Sequence, residues 1–186
     1  MSNTLFSPLQ MGSVTLPNRV LMAPLTRMRA APGDVPTPLM TEYYAQRASA
    51  GLIVTEAAQV SPQGKGYMQT PGIYSAEQTA GWQQVTQAVH EAGGRIAIQL
   101  WHVGRISHSS LQPDGQEPVS ASNLPARTKT TVLGADGRPE RVNCSVPRGL
   151  RIDEMPTLIE TYVQATKNAR EAGFDLVEIH AAHGYL

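Results

Sequence analysis

At 186 residues with 41% hydrophobic content, the chain is sized for one substantial core, since an ordinary domain runs to roughly 100–200 residues. Lys and Arg number 15 against 15 Asp and Glu, so no global field attracts nucleic acid or an anionic membrane, and no apolar run approaches the roughly 20 residues that span a bilayer. Met1–Pro8 lacks the basic and apolar regions of a secretory signal, and the single cysteine, Cys144, forms no internal disulfide and reads as a small surface or loop residue; a reducing cytosol fits both.

The first element in chain order is a small hairpin over Leu9–Leu16, turning at Gly12-Ser13. Four short apolar runs then read as buried parallel strands: Val20-Leu21-Met22, Leu52-Ile53-Val54, Ile96-Ala97-Ile98 and Leu176-Val177-Glu178-Ile179. Each is too short for a helix and lacks strict polar alternation, as expected of strands covered on both faces. Helical patterns lie between them. One starts at Thr37-Pro38, a cap followed by proline at the first helical position, and fades near Gly51. The next opens at Ser75-Ala76-Glu77-Gln78 with capping-box spacing and stops at Gly93-Gly94. The third takes Asp153 as its cap and carries a stripe of Met155, Leu158, Ile159, Tyr162 and Val163 that should face a core; Gly173 ends it. The order is strand, helix, strand, helix, strand, helix, strand, which is α/β. One departure stands out: about Trp101 to Arg151 is rich in Ser, Pro, Gly and Arg without a sustained helical period, and connections that long are usually functional or disordered.

Parallel βα units build either an open doubly wound sheet or a closed eight-stranded barrel. An open dinucleotide-binding sheet wants Gly-x-Gly-x-x-Gly between its first strand and helix; Ala23-Pro24-Leu25-Thr26-Arg27-Met28 has no glycine. Gly64-Lys65-Gly66 lacks a third glycine and reads as a loop. A barrel needs eight units, and the chain holds four. The pattern alone leaves a small open α/β domain and half a barrel as alternatives.

In either architecture ligands bind at the carboxyl ends of the strands. Those ends are Pro24-Leu25-Thr26, Glu56-Ala57-Ala58, Gln99-Leu100-Trp101-His102 and His180-Ala181-Ala182-His183-Gly184-Tyr185, a set suited to a flat heterocycle with polar edges. Three readings of His180 and His183 stand side by side: a hydrogen-bonded structural pair, metal ligands, or imidazole donors to a substrate oxygen beside Tyr185. The metal reading needs a third and usually a fourth ligand, and no carboxylate stands at helical spacing from His183. The two-residue period puts Glu178 on the face of His180, one layer deeper, where a buried carboxylate would be structural.

Pro17-Asn18-Arg19, Met22-Ala23-Pro24-Leu25-Thr26-Arg27, Glu42-Tyr43-Tyr44-Ala45-Gln46-Arg47-Ala48, Gln99-Leu100-Trp101-His102-Val103-Gly104-Arg105 and His180–Leu186 resemble, in order, the signatures of the old yellow enzyme family. The likeness is to its bacterial ene-reductase and N-ethylmaleimide reductase group; Thr26 and Trp101 set it apart from the branch with cysteine at the first position. The resemblance implies that residues 1–186 are the N-terminal half of one FMN-binding (β/α)8 TIM barrel, with an N-terminal hairpin, a long loop after the third barrel strand, and the C-terminal half absent. It further implies that Pro24, Leu25, Thr26, Ala57 and Gln99 line the flavin, Thr26 bonding the carbonyl near N5 and Gln99 the pyrimidine edge. His180 and His183 would hold the carbonyl or nitro oxygen of the substrate, Tyr185 would supply a proton, and Tyr67 and Trp101 would shape the pocket. The implied activity is FMN-dependent reduction by NAD(P)H of activated C=C bonds in enones, maleimides or nitroalkenes, extending to nitrate esters, by a cytoplasmic protein. Its partners would be the alkene and a complementary C-terminal half-barrel chain, with no nucleic acid, membrane or metal. A non-catalytic half-barrel assembly module and a metal hydrolase are the alternative functions.

Overall fold

The computed structural model describes residues 4–186, so part of the N-terminal reading, on residues 1–3, lies outside the described residues. In chain order the elements are β1 (Leu9–Met11), β2 (Val14–Leu16), β3 (Leu21–Met22), α1 (Pro38–Ala45), β4 (Leu52–Gln59), α2 (Ala76–Glu91), β5 (Ile96–Trp101), β6 (Val119–Ser120), β7 (Lys129–Leu133), β8 (Pro139–Asn143), β9 (Arg148–Gly149), α3 (Met155–Glu171) and β10 (Leu176–Ile179). The main sheet has four parallel strands in the order β3-β4-β5-β10. Each new strand joins the same growing edge, with no reversal of order. Ile53, Ile96, Ile98 and Leu100 pack with residues of all three helices, including Tyr44, Trp82 and Ala165. The opposite face carries Leu52, Val54 and Ala97, which pack under Leu16 and the β1–β2 hairpin. A doubly wound sheet puts helices on both faces and reverses its order; helices on one side and a plugged interior on the other make this half of a (β/α)8 barrel.

Local chemistry explains most element ends. Ser75 accepts the amide N–H of Gln78 while the Gln78 side chain accepts from the Ser75 backbone, closing the capping box that starts α2. The hairpin pairs Met11 with Val14 across Gly12-Ser13. Three expectations need correction. Helix α1 stops at Ala45 rather than near Gly51, because residues 47–50 tighten into turns with bonds such as Ala50 N–H to Arg47 C=O, bringing Gly51 N–H to the Val20 carbonyl at 2.7 Å. Asp153 does not cap α3: it pairs with Arg151, and a 3-10 turn over Ile152–Glu154 precedes the helix. That turn is pinned by the fork of Arg148 on Glu154, at 2.7 and 2.9 Å. The α3 stripe is largely uncovered, Ile159 being 63% exposed; Ala165, Ala169 and Ala172 make the helix's buried contacts instead.

The long connection after β5 is ordered. Its β7–β8 hairpin docks on residues 66–68 through Thr130 Oγ1 to the Gly66 carbonyl and Met68 N–H to the Thr131 carbonyl. Threonines in place of large apolar residues hide this hairpin from a hydrophobicity reading, because it packs on a loop rather than on the core.

Candidate active site

Register aligns the interior face. Ala57 pairs with Gln99, and Gln99 pairs with Glu178, so three side chains at the carboxyl end form one row across β4, β5 and β10. Gln99 Nε2 donates to Glu178 Oε1. Glu178 is exposed rather than buried; β10 is an edge strand, so nothing covers its far side.

Between Val54 and Ala57 the register with β5 slips by one residue, a bulge that re-aims a side chain. Glu56 turns toward α1, where its amide N–H donates to Tyr44 Oη at 2.8 Å and Tyr44 O–H donates to its Oε1 at 3.2 Å. Its Oε2 accepts the Arg27 amide N–H at 3.1 Å. That bond ties the Pro24–Thr26 segment to the end of β4. Burial raises the Glu56 carboxyl to about 6, against the opposing pull of its hydrogen bonds. The Arg27 guanidinium lies over the Tyr43 ring at 4.6 Å, which further fixes the segment.

The rim gathers the predicted substrate group. Tyr67 stacks on Trp101 with ring centres 5.8 Å apart, and Tyr185 meets Trp101 edge-on at 5.2 Å. Both tyrosines pack against the buried cluster of Ala57, Trp101 and Val103. The Tyr67 and Tyr185 hydroxyls are 2.9 Å apart. Burial pushes the Tyr185 phenol well above its ordinary range. His180 lies 5.0 Å from the Tyr185 ring and 5.2 Å from that of His183. The Ala182 amide N–H donates weakly to His180 Nδ1 at 3.4 Å. His180 Nε2 lies 3.4 Å from His183 Nδ1, too long for a strong bond and easily exchanged for a ligand oxygen. His183 adopts φ 58, a left-handed conformation that a non-glycine residue keeps only where its surroundings enforce it.

Tyr185 is held from below. Leu186 N–H donates to the His102 carbonyl at 3.1 Å. Gly104 packs against the same residue with φ +58, and a Cβ there would stand 2.9 Å from Leu186 N. His102 itself is fully buried, accepts the Gly104 amide on Nδ1 at 3.1 Å, and is held neutral by burial, its pKa lowered to about 4.

The structure therefore brings together Tyr67, Trp101, His180, His183 and Tyr185, and aligns Ala57 with Gln99. Pro24, Leu25 and Thr26 sit at the end of β3 as a separate shelf, Leu25 being 58% exposed. The Glu56 tie and the tyrosine pair are contacts at the candidate site that sequence reasoning missed. The first had a signal, a carboxylate inside the apolar run Leu52–Ala58; the second joins residues 118 apart in the chain and had none. Among the described residues no three His, Cys, Asp or Glu side chains gather closely enough to hold a metal ion.

The half-barrel carries an exposed apolar shelf, a strand-end amide and an imidazole–phenol cluster at its carboxyl face, where barrels of this class bind their ligands. The model of the NADH:flavin oxidoreductase / NADH oxidase family matches residues 4–186. The chain belongs to this family, that of the old yellow enzymes. It is 48% identical over 183 residues to 12-oxophytodienoate reductase 7 of Oryza sativa subsp. japonica, covering 98% of this chain and 46% of the relative. It is 42% identical over 183 residues to 12-oxophytodienoate reductase 2 of Arabidopsis thaliana, covering 98% and 48%. Morphinone reductase in complex with tetrahydroNAD superposes with a TM-score of 0.94 at 55% identity, covering 98% of this chain and 50% of that one. The old yellow enzyme homologue from Zymomonas mobilis gives 0.92 at 48%, with the same coverage. The chain spans about half the length of the curated relatives it matches.

Proposed function

We propose that this chain supplies the flavin-ring and substrate-binding half of an FMN-dependent NAD(P)H ene-reductase acting on enones, maleimides or nitroalkenes. The observation that carries the reading is the cluster of His180, His183 and Tyr185 at one rim, beside the row of Ala57 and Gln99. A flavin ring fits the donor set: Leu25 and Pro24 offer an apolar shelf, while the Thr26 hydroxyl and the Gln99 amide offer polar edges. Bound FMN supplies the hydride. His180 and His183 direct N–H groups at the activating oxygen, where negative charge grows as the β-carbon is reduced, so they stabilise the transition state more than the ground state. Tyr185 then gives its phenolic proton to the α-carbon. The tetrahydroNAD complex of a structural neighbour supports a nicotinamide as the reductant.

The reading includes a complementary half-barrel. Ile179 on the edge strand is 61% exposed and Ile159 of the α3 stripe 63%, uncovered apolar residues of the kind that pair with further strands and helices. Barrels of this type usually grip phosphate with loops after the seventh and eighth strands, which a second half would provide.

The test is the double variant His180→Ala with His183→Ala in the chain assembled with a family C-terminal half. Loss of carbonyl- and phenol-ligand affinity with flavin still bound is the expected result. Stoichiometric zinc, with activity removed by chelators, would overturn it in favour of metal-dependent hydrolysis.

A further inference from the structure

Tyr185 cannot meet its proposed role in isolation. Among the described residues its hydroxyl has one hydrogen-bond partner, the hydroxyl of Tyr67 at 2.9 Å. The orientation of that bond decides what Tyr185 can do. If Tyr185 donates, its proton points away from the substrate. If Tyr67 donates, the Tyr185 oxygen accepts and its own proton is free to face the rim where His180 and His183 stand. Both rings are fixed on one indole, Tyr67 stacked on Trp101 at 15° and Tyr185 edge-on, which holds the two hydroxyls together with either able to donate. Tyr67 is only partly buried, which leaves it a route to water that the more enclosed indole lacks. The titratable groups facing Tyr185, besides Tyr67, include His180, with ring centres 5.0 Å apart, and Cys144.

We propose that Tyr67 is the positioning residue for Tyr185: it donates to the Tyr185 oxygen, aims the Tyr185 proton at the substrate, and replaces that proton once it has been given up. This rests on the ene-reductase reading above. In the step, the Tyr185 O–H bond breaks and a C–H bond forms at the α-carbon, using the electron pair of the enolate. The Tyr185 oxygen keeps the O–H pair and becomes a phenolate, stabilised by the Tyr67 O–H, which then passes its proton across. Water reprotonates Tyr67, so solvent supplies the one proton that each turnover consumes. Burial of the Tyr185 phenol makes a neighbouring donor important, since a phenolate formed there without one would be poorly solvated.

The experiment compares Tyr67→Phe with the unsubstituted chain, each assembled with a C-terminal half and FMN. Tyr67→Phe should slow flavin reoxidation by an enone about 10- to 100-fold, the worth of one hydrogen bond to a charged oxygen, and slow it more than it slows reduction by nicotinamide. In a second measurement, a fluorinated tyrosine at position 185, whose more acidic phenol titrates in the accessible range, should ionise at higher pH when Tyr67 is Phe. Unaltered enone rates, or a phenol that ionises at lower pH in the variant, would overturn the proposal, the latter showing that Tyr67 only accepts from Tyr185. An unsubstituted assembly that binds flavin but reduces no enone would overturn the ene-reductase reading instead, and the relay with it. Matching flavin content and near-ultraviolet circular dichroism separate both results from misfolding.

Discussion

Glu56→Gln tests the tie between the first two strand ends through its pH dependence. The carboxyl is held at about 6 against an ordinary 4.5. Between those two values the folded state binds more protons than the unfolded one, so stability falls as pH rises. Glu56 therefore contributes stability that is complete below 4.5 and lost as pH rises through about 6. At about 1.36 kcal/mol per pKa unit, the loss amounts to about 2 kcal/mol. Glutamine stays neutral throughout and still accepts from the Arg27 amide. His102 has the opposite slope: its pKa is lowered from 6.5 to about 4, so its contribution is complete above 6.5 and lost as pH falls through 4. That contribution is common to both proteins and cancels in the comparison. Urea unfolding of the two assemblies at a fixed subunit concentration, from pH 4 to pH 8, should show the glutamine variant gaining about 2 kcal/mol relative to glutamate as pH rises across the window. Parallel curves, or divergence of the opposite sign, would refute the buried, tethered carboxylate.

Gly104→Ala should destabilise the fold by about 1–2 kcal/mol from its left-handed backbone alone. It should also displace Leu186 and Tyr185, because the new Cβ would lie 2.9 Å from Leu186 N; a shift near 1 Å costs about 100-fold in enone turnover. Wild-type stability and turnover would show that Gly104 does not set the position of the phenol. Tyr185→Phe should slow enone reduction by about 100- to 10,000-fold and leave flavin reduction by nicotinamide unaltered in stopped-flow traces. Equal slowing of both half-reactions would give Tyr185 a different job.

The apolar runs and helix caps made the order of elements readable, because each rests on local chemistry: Ser75 with Gln78, Pro38 after Thr37, and four runs too short to be helices. The choice between an open sheet and a barrel was not readable from pattern, since it depends on which sheet face the helices cover. The site residues with sharp chemistry, His180, His183 and Tyr185, stood out because imidazoles and a phenol cluster within six positions of the sequence. Three features were hidden for physical reasons. The β4 bulge shifts register without altering composition, the β7–β8 hairpin packs threonines on a loop, and the Tyr67–Tyr185 bond joins distant segments. The strand and helix patterns place Glu178 and the α3 stripe in a core because those patterns assume neighbours on both sides. In this chain β10 is an edge and the stripe is open.

The central proposal is that this half-barrel holds one side of a flavin and that the other half of the barrel completes the site. Titrating a family C-terminal half into the purified chain with FMN, while following flavin fluorescence and then enone-dependent reoxidation, tests it most directly. Little flavin should be retained by the chain alone, then one flavin bound per assembled pair together with enone reduction. A monomeric 186-residue chain that holds FMN and reduces enones unaided would contradict it.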